Sequence, residues 1–546
     1  MGKIFINFDS MRKQLLILLL NFFFITSGAQ PIDVLHYRYE INLNDNNDTI
    51  TGKATITFIA LAETKSVAFD LTDLDKKGKG MQIIKVSLPY KNPYSTDFGN
   101  MPVHLNESII IYAWAPLPKG DTFNVTIDYK GIPDDGLIIS KNKYGDRTFF
   151  SDNWPDRAHH WIPCIDRPDD KASFEFFVTA PSHYSVISNG TKIEEKETGN
   201  DKKLTHWKED IPLSTKVMVI GVAKFAVKTF ADSPENIPVS AWVYQQDSLP
   251  GFRNYSVAPA ILKFLTAYIG PYPYEKLANV QSKTIFGGME NASAIFYEET
   301  SASLFQNIES LLAHEIVHQW FGDMASEKSF PHLWLSEGFA TYLTHIYIES
   351  KYGTDSLNNE MKRDRDQIIS FVKESHQPVV DSVSPLMNLL NANSYQKGGW
   401  ILHMLRRQLG DDVFRKIIRN YYSAYAGKNA DTRDFQKICE KESGKDLSTF
   451  FDQWLYSSAF PKLEVQWSYD EKNKMVLLKV NQLQNKAFQF PLDVKIQLAS
   501  GKMQLEIVDI TKQTQQFSLP VKEKPLQLSL DPDTSLLFEG SARMSK

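Results

Sequence analysis

His314-Glu315-Ile316-Val317-His318 sets two imidazoles four residues apart with a carboxylate between them. On a helix, residues i and i+4 share a face, so His314 and His318 can bind one zinc ion together. Glu315, beside the first donor, is then placed to act as general base on a water at the metal's open position. A third ligand must come from elsewhere. Eighteen residues intervene between His318 and Glu337, which sits in Leu333-Trp334-Leu335-Ser336-Glu337-Gly338-Phe339-Ala340-Thr341-Tyr342, a stretch that reads as a second amphipathic helix. A short loop between two helices could return that carboxylate to the same ion. Two His, one Glu and a water are the ligand set of catalytic rather than structural zinc. With only 12 His in the chain, a chance His-Glu-x-x-His is expected at roughly the 1–2% level, and the later Glu lowers that to about one in a thousand. Core packing alone would not favour a charged Glu between two His.

The elements that must position these groups follow from patterning. A chain of 546 residues is too long for one ordinary core, so about three domains are expected. From about 33 to 230, short alternating runs such as Thr49–Phe58 and Phe123–Tyr129, separated by Gly, Pro and Asn/Asp turns, predict an all-β domain. Between about 236 and 461 the apolar spacing becomes three to four, predicting helices over 257–269, 304–321, 333–352, 361–374, 396–409 and 411–425. Asp431 and Thr432 read as a helix start before Phe435. After Pro461 alternation returns, at Leu463–Trp467, Val476–Val480 and Val494–Leu498, and predicts a small β-sandwich. The resulting division is 1–29, a signal peptide; 30–233, an N-terminal β domain; 234–460, a mainly α catalytic domain; and 461–546, a C-terminal β-sandwich. The fold class is α+β and multidomain.

Composition limits the partners. Hydrophobic content of 42% and charge of 23% suit a globular protein. A net charge of -5, without a dense Lys/Arg tract interleaved with aromatics, leaves nucleic acid unexpected as a partner. At the N-terminus, Met11-Arg12-Lys13 supplies positive charge, 15–25 is mostly apolar, and Ser27-Gly28-Ala29 offers small residues before a cut after Ala29. This is a secretory signal pattern, which predicts a secreted or periplasmic protein, and the run is too short for a comfortable membrane span. A buried N-terminal helix or short anchor is the alternative. Cys164 and Cys439 are the only cysteines, so no disulfide framework exists and two unpaired buried thiols are expected.

Four segments together carry a resemblance. His314–Asp323 and Trp334–Ala340 resemble the zinc segments of the gluzincin aminopeptidases, the family of aminopeptidase N and leukotriene hydrolase. Gly287-Gly288-Met289-Glu290-Asn291 resembles that family's Gly-x-Met-Glu-Asn exopeptidase motif, and Tyr395-Gln396-Lys397-Gly398 the segment of its catalytic tyrosine. The motifs occur in the family's order, and the likeness extends from about residue 33 to 540. Trp161–Pro168 is similar to a further marker of the N-terminal domain. One departure is Trp154, which stands where relatives usually carry a Gln or Glu that helps hold the substrate's amino terminus. Another is Thr341, at the place where thermolysin has an Asp that orients a zinc His, so an orienting carboxylate is expected elsewhere, with Asp323 a weak candidate. Many relatives continue into a large helical domain that caps the site; its absence here implies an open cleft, or one closed by a partner subunit.

The resemblance implies a thermolysin-like catalytic domain with a small sheet beside the active-site helices, one zinc per chain, and peptide substrates with a free N-terminus. It makes Tyr395 the candidate oxyanion donor, with a buried packing Tyr as the alternative. It also makes Gly287, Gly288, Met289, Glu290 and Asn291 the substrate-binding strand. A carboxylate such as Glu290 near the metal can pair with an α-ammonium and so fix which peptide bond reaches the ion. An internal bond presents no such cation, which argues against a zinc endopeptidase. Epoxide hydrolysis would need a shaped lipid pocket of which the sequence gives no sign. A catalytically dead binding protein should have lost a ligand or the base, whereas His314, Glu315, His318, Glu337 and Tyr395 are all present.

Overall fold

The computed structural model describes residues 31–88, 102–304 and 306–545; the expected signal peptide lies outside them. In the N-terminal part, the alternating runs become strands because one face can be buried and the other solvated. Ile32–Asn42 and Ile50–Ala60 pair antiparallel, and each buries every second side chain along most of its length. They lie within a seven-stranded sheet, accompanied by sheets of four and three strands. Stacked aromatics fill the interior: Tyr39 meets Phe176 at 5.2 Å between ring centroids, and Trp161 lies nearly parallel to Phe176 at 5.9 Å. Cys164 is buried there, and Cys164 and Cys439 are both free thiols, as expected.

Phe225–Phe230 hydrogen-bonds not to this domain but to Val239–Tyr244. The hairpin opens a five-stranded sheet that continues through Leu277–Gln281 and Ala294–Tyr297 to Gly288–Met289 at its edge. A new sheet therefore takes up the chain near residue 225, before the expected boundary at 233/234. Alternation looks the same on either side, and a strand's own sequence does not name the sheet it joins.

Helices follow as the periodicity predicts, at Ala258–Tyr268, Trp334–Tyr352, Thr354–Glu374, Gly398–Leu409 and Asp411–Tyr425. The 304–321 run contains a shorter helix, Glu309–His318, at whose start the Asn307 side chain accepts from the Glu309 N–H. Asp431 caps Thr432–Ser443 in a capping box with Asp434. Trp334–Tyr352 is buried without interruption from Trp334 to Ile348. A helix buried on every side belongs in a core, and this one carries Ser336, Glu337, Thr341, Thr344 and His345 into it among its apolar residues. The C-terminal part forms two sheets of four and three strands. Among the described residues, no helix is long and apolar enough to cross a membrane.

Candidate active site

His314 and His318 stand one turn apart on Glu309–His318, and Glu337 lies in the first turn of Trp334–Tyr352. The two Nε2 atoms are 3.2 Å apart, and Glu337 Oε2 lies 3.3 Å from each. Ligands arranged tetrahedrally at about 2.0–2.1 Å from zinc are about 3.3 Å from one another, so this triangle has the size one zinc ion demands. Glu337 Oε2 is buried and makes no hydrogen bond, an acceptor left over for a cation. Among the described residues, this is the one convergence of three His, Cys, Asp or Glu donors.

The electrostatics agree with that assignment. Burial opposes charge on His318, but Glu337, Glu290 and Glu315 outweigh it and raise its pKa to about 10. Burial pushes the Glu315 carboxyl well up, and Glu290 and Glu337 add to the push. Both shifts have one cause, carboxylates crowded together in a buried site, which a cation held by the triad would relieve. His318 is oriented by the Phe321 carbonyl, 3.1 Å from Nδ1, and the Ser336 hydroxyl at 3.0 Å. The carboxylate expected to orient a zinc His is replaced at His318 by these two groups. Asp323 instead accepts from Gln319 Nε2 at 3.0 Å.

Glu315 is 5% exposed and points into a cleft of about 260 Å³ that the metal triad also lines. Its neighbour across the cleft is backbone. A Cβ on Gly288 would lie 2.3 Å from Glu315 Oε1, so only glycine lets the edge strand Gly288–Met289 approach this closely. A second glycine contact brings in Tyr395. Gly338 and Gly398 touch, each leaving no room for a Cβ on the other, where Trp334–Tyr352 packs against Gly398–Leu409. Tyr395 sits in the π-helical turn Asn393–Lys397 just before that contact. Its ring stacks on His314 at 5.8 Å between centroids and 14° between planes.

Gly287, Gly288, Met289 and Glu290 all line the cleft, and Glu290 Oε1 has no hydrogen-bond partner. Asn291 is the member of the five that does not line it. It is fully buried, which also closes its Asn-Ala-Ser sequon to a glycan. Trp154 lines the same cleft as Glu290, packs on Phe286 and is 2% exposed. Neighbouring Asp152 does not take over the missing polar role, because it is bound to Arg157 at 2.7 Å, Thr284 at 3.0 Å and the Ile285 N–H at 3.1 Å. Sequence reasoning missed Gln319, Ser336, Phe286, Leu311 and Leu390. Ser336 and Gln319 directly adjoin metal ligands, the one signal available for them.

Two family profiles match this arrangement: "Peptidase M1 N-terminal domain" over residues 34–217 and "Peptidase family M1 domain" over residues 254–454. Similar proteins include "Probable aminopeptidase 2" of Sulfurisphaera tokodaii, 31% identical over 62% of this chain and 45% of its own. "Aminopeptidase M1-C" of Oryza sativa subsp. japonica is 27% identical over 79% of this chain and 50% of its own. "Glutamyl aminopeptidase" of Rattus norvegicus is 25% identical over 82% and 49%. The chain spans about half the length of these curated relatives. The two profiles, in order and covering both the β domain and the metal-bearing helices, show that the chain belongs to peptidase family M1.

Proposed function

We propose that the protein is a zinc-dependent aminopeptidase that hydrolyses the N-terminal peptide bond of peptides, and that it is exported with cleavage after Ala29. The observation that carries the catalytic reading is Glu290: a buried carboxylate with a free oxygen in the same cleft as the metal triad and Glu315. The names of the three relatives given above, each an aminopeptidase, support it. The apolar run before Ala29 supports export.

His314, His318 and Glu337 would hold the ion. When bound, zinc supplies Lewis acidity, acidifying water and polarising a carbonyl. Glu290 pairs with the substrate's α-ammonium and sets the first peptide bond at the metal. Glu315 takes the proton of the attacking water and later delivers it to the leaving amine, general acid–base work typically worth roughly 10²–10⁴-fold. The Tyr395 O–H donates to the oxyanion that develops on the carbonyl; losing one such donor costs about 10²–10³-fold. The edge strand Gly288–Met289 offers its free side to the substrate backbone.

The test is cleavage of aminoacyl-aminomethylcoumarins by wild-type protein before and after chelation, with an N-acetylated substrate alongside. Activity lost on chelation, regained with zinc and absent from the acetylated substrate is the expected result. Zinc-loaded protein that cuts the acetylated substrate as well as the free one would make it an endopeptidase.

A further inference from the structure

Three carboxylates line the cleft, and the reaction proposed above uses all three: Glu337 for the metal, Glu315 for water and Glu290 for the α-ammonium. The remainder of the wall is largely apolar. Phe286 and Met289 belong to the segment that carries Glu290, and Trp154 packs edge-on against Phe286, 6.0 Å between centroids, and against Phe330, also 6.0 Å. Leu311 and Leu390 complete it. Among the described residues, no Lys, Arg or Asp lines the cleft.

The nearby cations are already engaged. Arg157 lies 5.8 Å from the Phe286 ring, but its guanidinium donates to Asp152, Asp135 and the Trp154 carbonyl. Lys216 is paired with Glu327, both of them buried. Lys171 Nζ donates to the carbonyls of Asp323, Met324 and Lys428. An acidic first side chain would therefore meet three carboxylates and no free cation. A basic one would find no carboxylate that the reaction leaves over. Either charge, set unpaired against an apolar wall, gains nothing and loses part of its water, whereas apolar contact is gained without that penalty.

We propose that the pocket for the first side chain is apolar and selects peptides that begin with an uncharged apolar residue such as Leu, Met or Phe over Glu or Arg, with Trp154 and Phe286 as its specificity determinants. The inference rests on the aminopeptidase reading. It goes further in naming the substrate class, at a position where the expected polar residue is an indole.

Two measurements test it. The first is kcat/KM for Leu-, Met-, Phe-, Glu- and Arg-aminomethylcoumarin with wild type, Trp154→Phe and Trp154→Gln. Wild type should favour the best apolar substrate over Glu and Arg by roughly 10²-fold. Trp154→Phe should keep that ratio, and Trp154→Gln should cut it about tenfold or more. The second needs no variant: calorimetric binding of the free amino acids L-leucine, L-phenylalanine, L-arginine and L-glutamate, which hold no bond for the enzyme to cut, to zinc-loaded wild type, with the first two expected to bind more tightly. Arg or Glu equal to or better than Leu in either measurement overturns the proposal, and an unchanged ratio in folded Trp154→Gln removes Trp154 from it. Zinc-loaded protein that cleaves nothing yet prefers the apolar amino acids would overturn the reading of the reaction and uphold the apolar pocket.

Discussion

The side-chain amide of Gln319 is bonded to the backbone of Glu290: Nε2 donates to the Glu290 carbonyl at 2.7 Å. On its other side, Gln319 Oε1 accepts from the Ser293 N–H at 2.7 Å. Gln319 is fully buried and follows His318 directly. One residue thus locks the end of the helix that carries His314 and His318 to the loop that carries Glu290, the carboxylate proposed to bind the substrate's ammonium. Asn189 of the N-terminal domain holds the same loop from the other domain, donating to the Ala292 carbonyl at 2.6 Å. Gln319→Leu leaves the Glu290 carbonyl, the Ser293 N–H and an Asp323 oxygen without a hydrogen bond and should cost about 1–3 kcal/mol of stability for each that water cannot reach. For a Leu substrate its KM should rise about tenfold, the effect of roughly 1.4 kcal/mol, with kcat much less affected and one zinc still bound. Steady-state kinetics beside metal analysis decide it; an unchanged KM would remove Gln319 from substrate positioning.

Glu315→Gln keeps the shape of the side chain and removes the base. Its kcat should fall roughly 10²–10⁴-fold, while the three metal donors, none of them altered, still bind one zinc. Kinetics and metal content measured on one preparation separate the two effects. Activity near the wild-type level would show that another group moves the proton.

The convergence of His314, His318 and Glu337 was legible because helical periodicity fixes the two His on one face and a second helical run carries the Glu. The order of β, α and β regions along the chain was legible for the same reason, since periods of two and of 3.6 differ plainly. Other features were not. The groups that orient His318 include the Phe321 carbonyl, and every residue offers a carbonyl, so no sequence marks the one that is used. The cleft wall gathers Trp154, Phe286, Leu311 and Leu390 from segments far apart in the chain, and only the fold brings them together. The Phe225–Phe230 strand reads like those before it, yet its hydrogen bonds go to the next domain.

Asp170, far from the metal in sequence, should give stability a pH dependence of its own. It is 6% exposed and its Oδ1 has no hydrogen-bond partner. Burial, helped by Asp33, raises its pKa from 3.8 to about 7. The folded state therefore holds a proton that the unfolded chain has lost, and the sign follows. The contribution to stability is full below about pH 4 and is lost as pH rises through about 7. Asp170→Asn should consequently gain on wild type across that window, by a few kcal/mol at most, and hold a constant advantage above it. Melting temperatures of both proteins from pH 4 to 8.5 provide the test. A difference that does not change with pH would mean that Asp170 is not protonated in the fold.

Gly288→Ala puts the glycine contact at the base to use. The added Cβ would fall 2.3 Å from Glu315 Oε1 and 2.5 Å from its Cδ. The obstructing atoms are the far end of a side chain rather than backbone, so the fold should survive while the carboxylate swings aside. A displacement of about 1 Å at a reacting group can cost 10²-fold, and kcat should drop by about that much. Zinc content and melting temperature should stay near wild type, because His314, His318 and Glu337 lie outside the clash. Should Gly288→Ala lose its metal or unfold, the strand would be shown to support the triad itself, and Glu315 would not be the only group that depends on it.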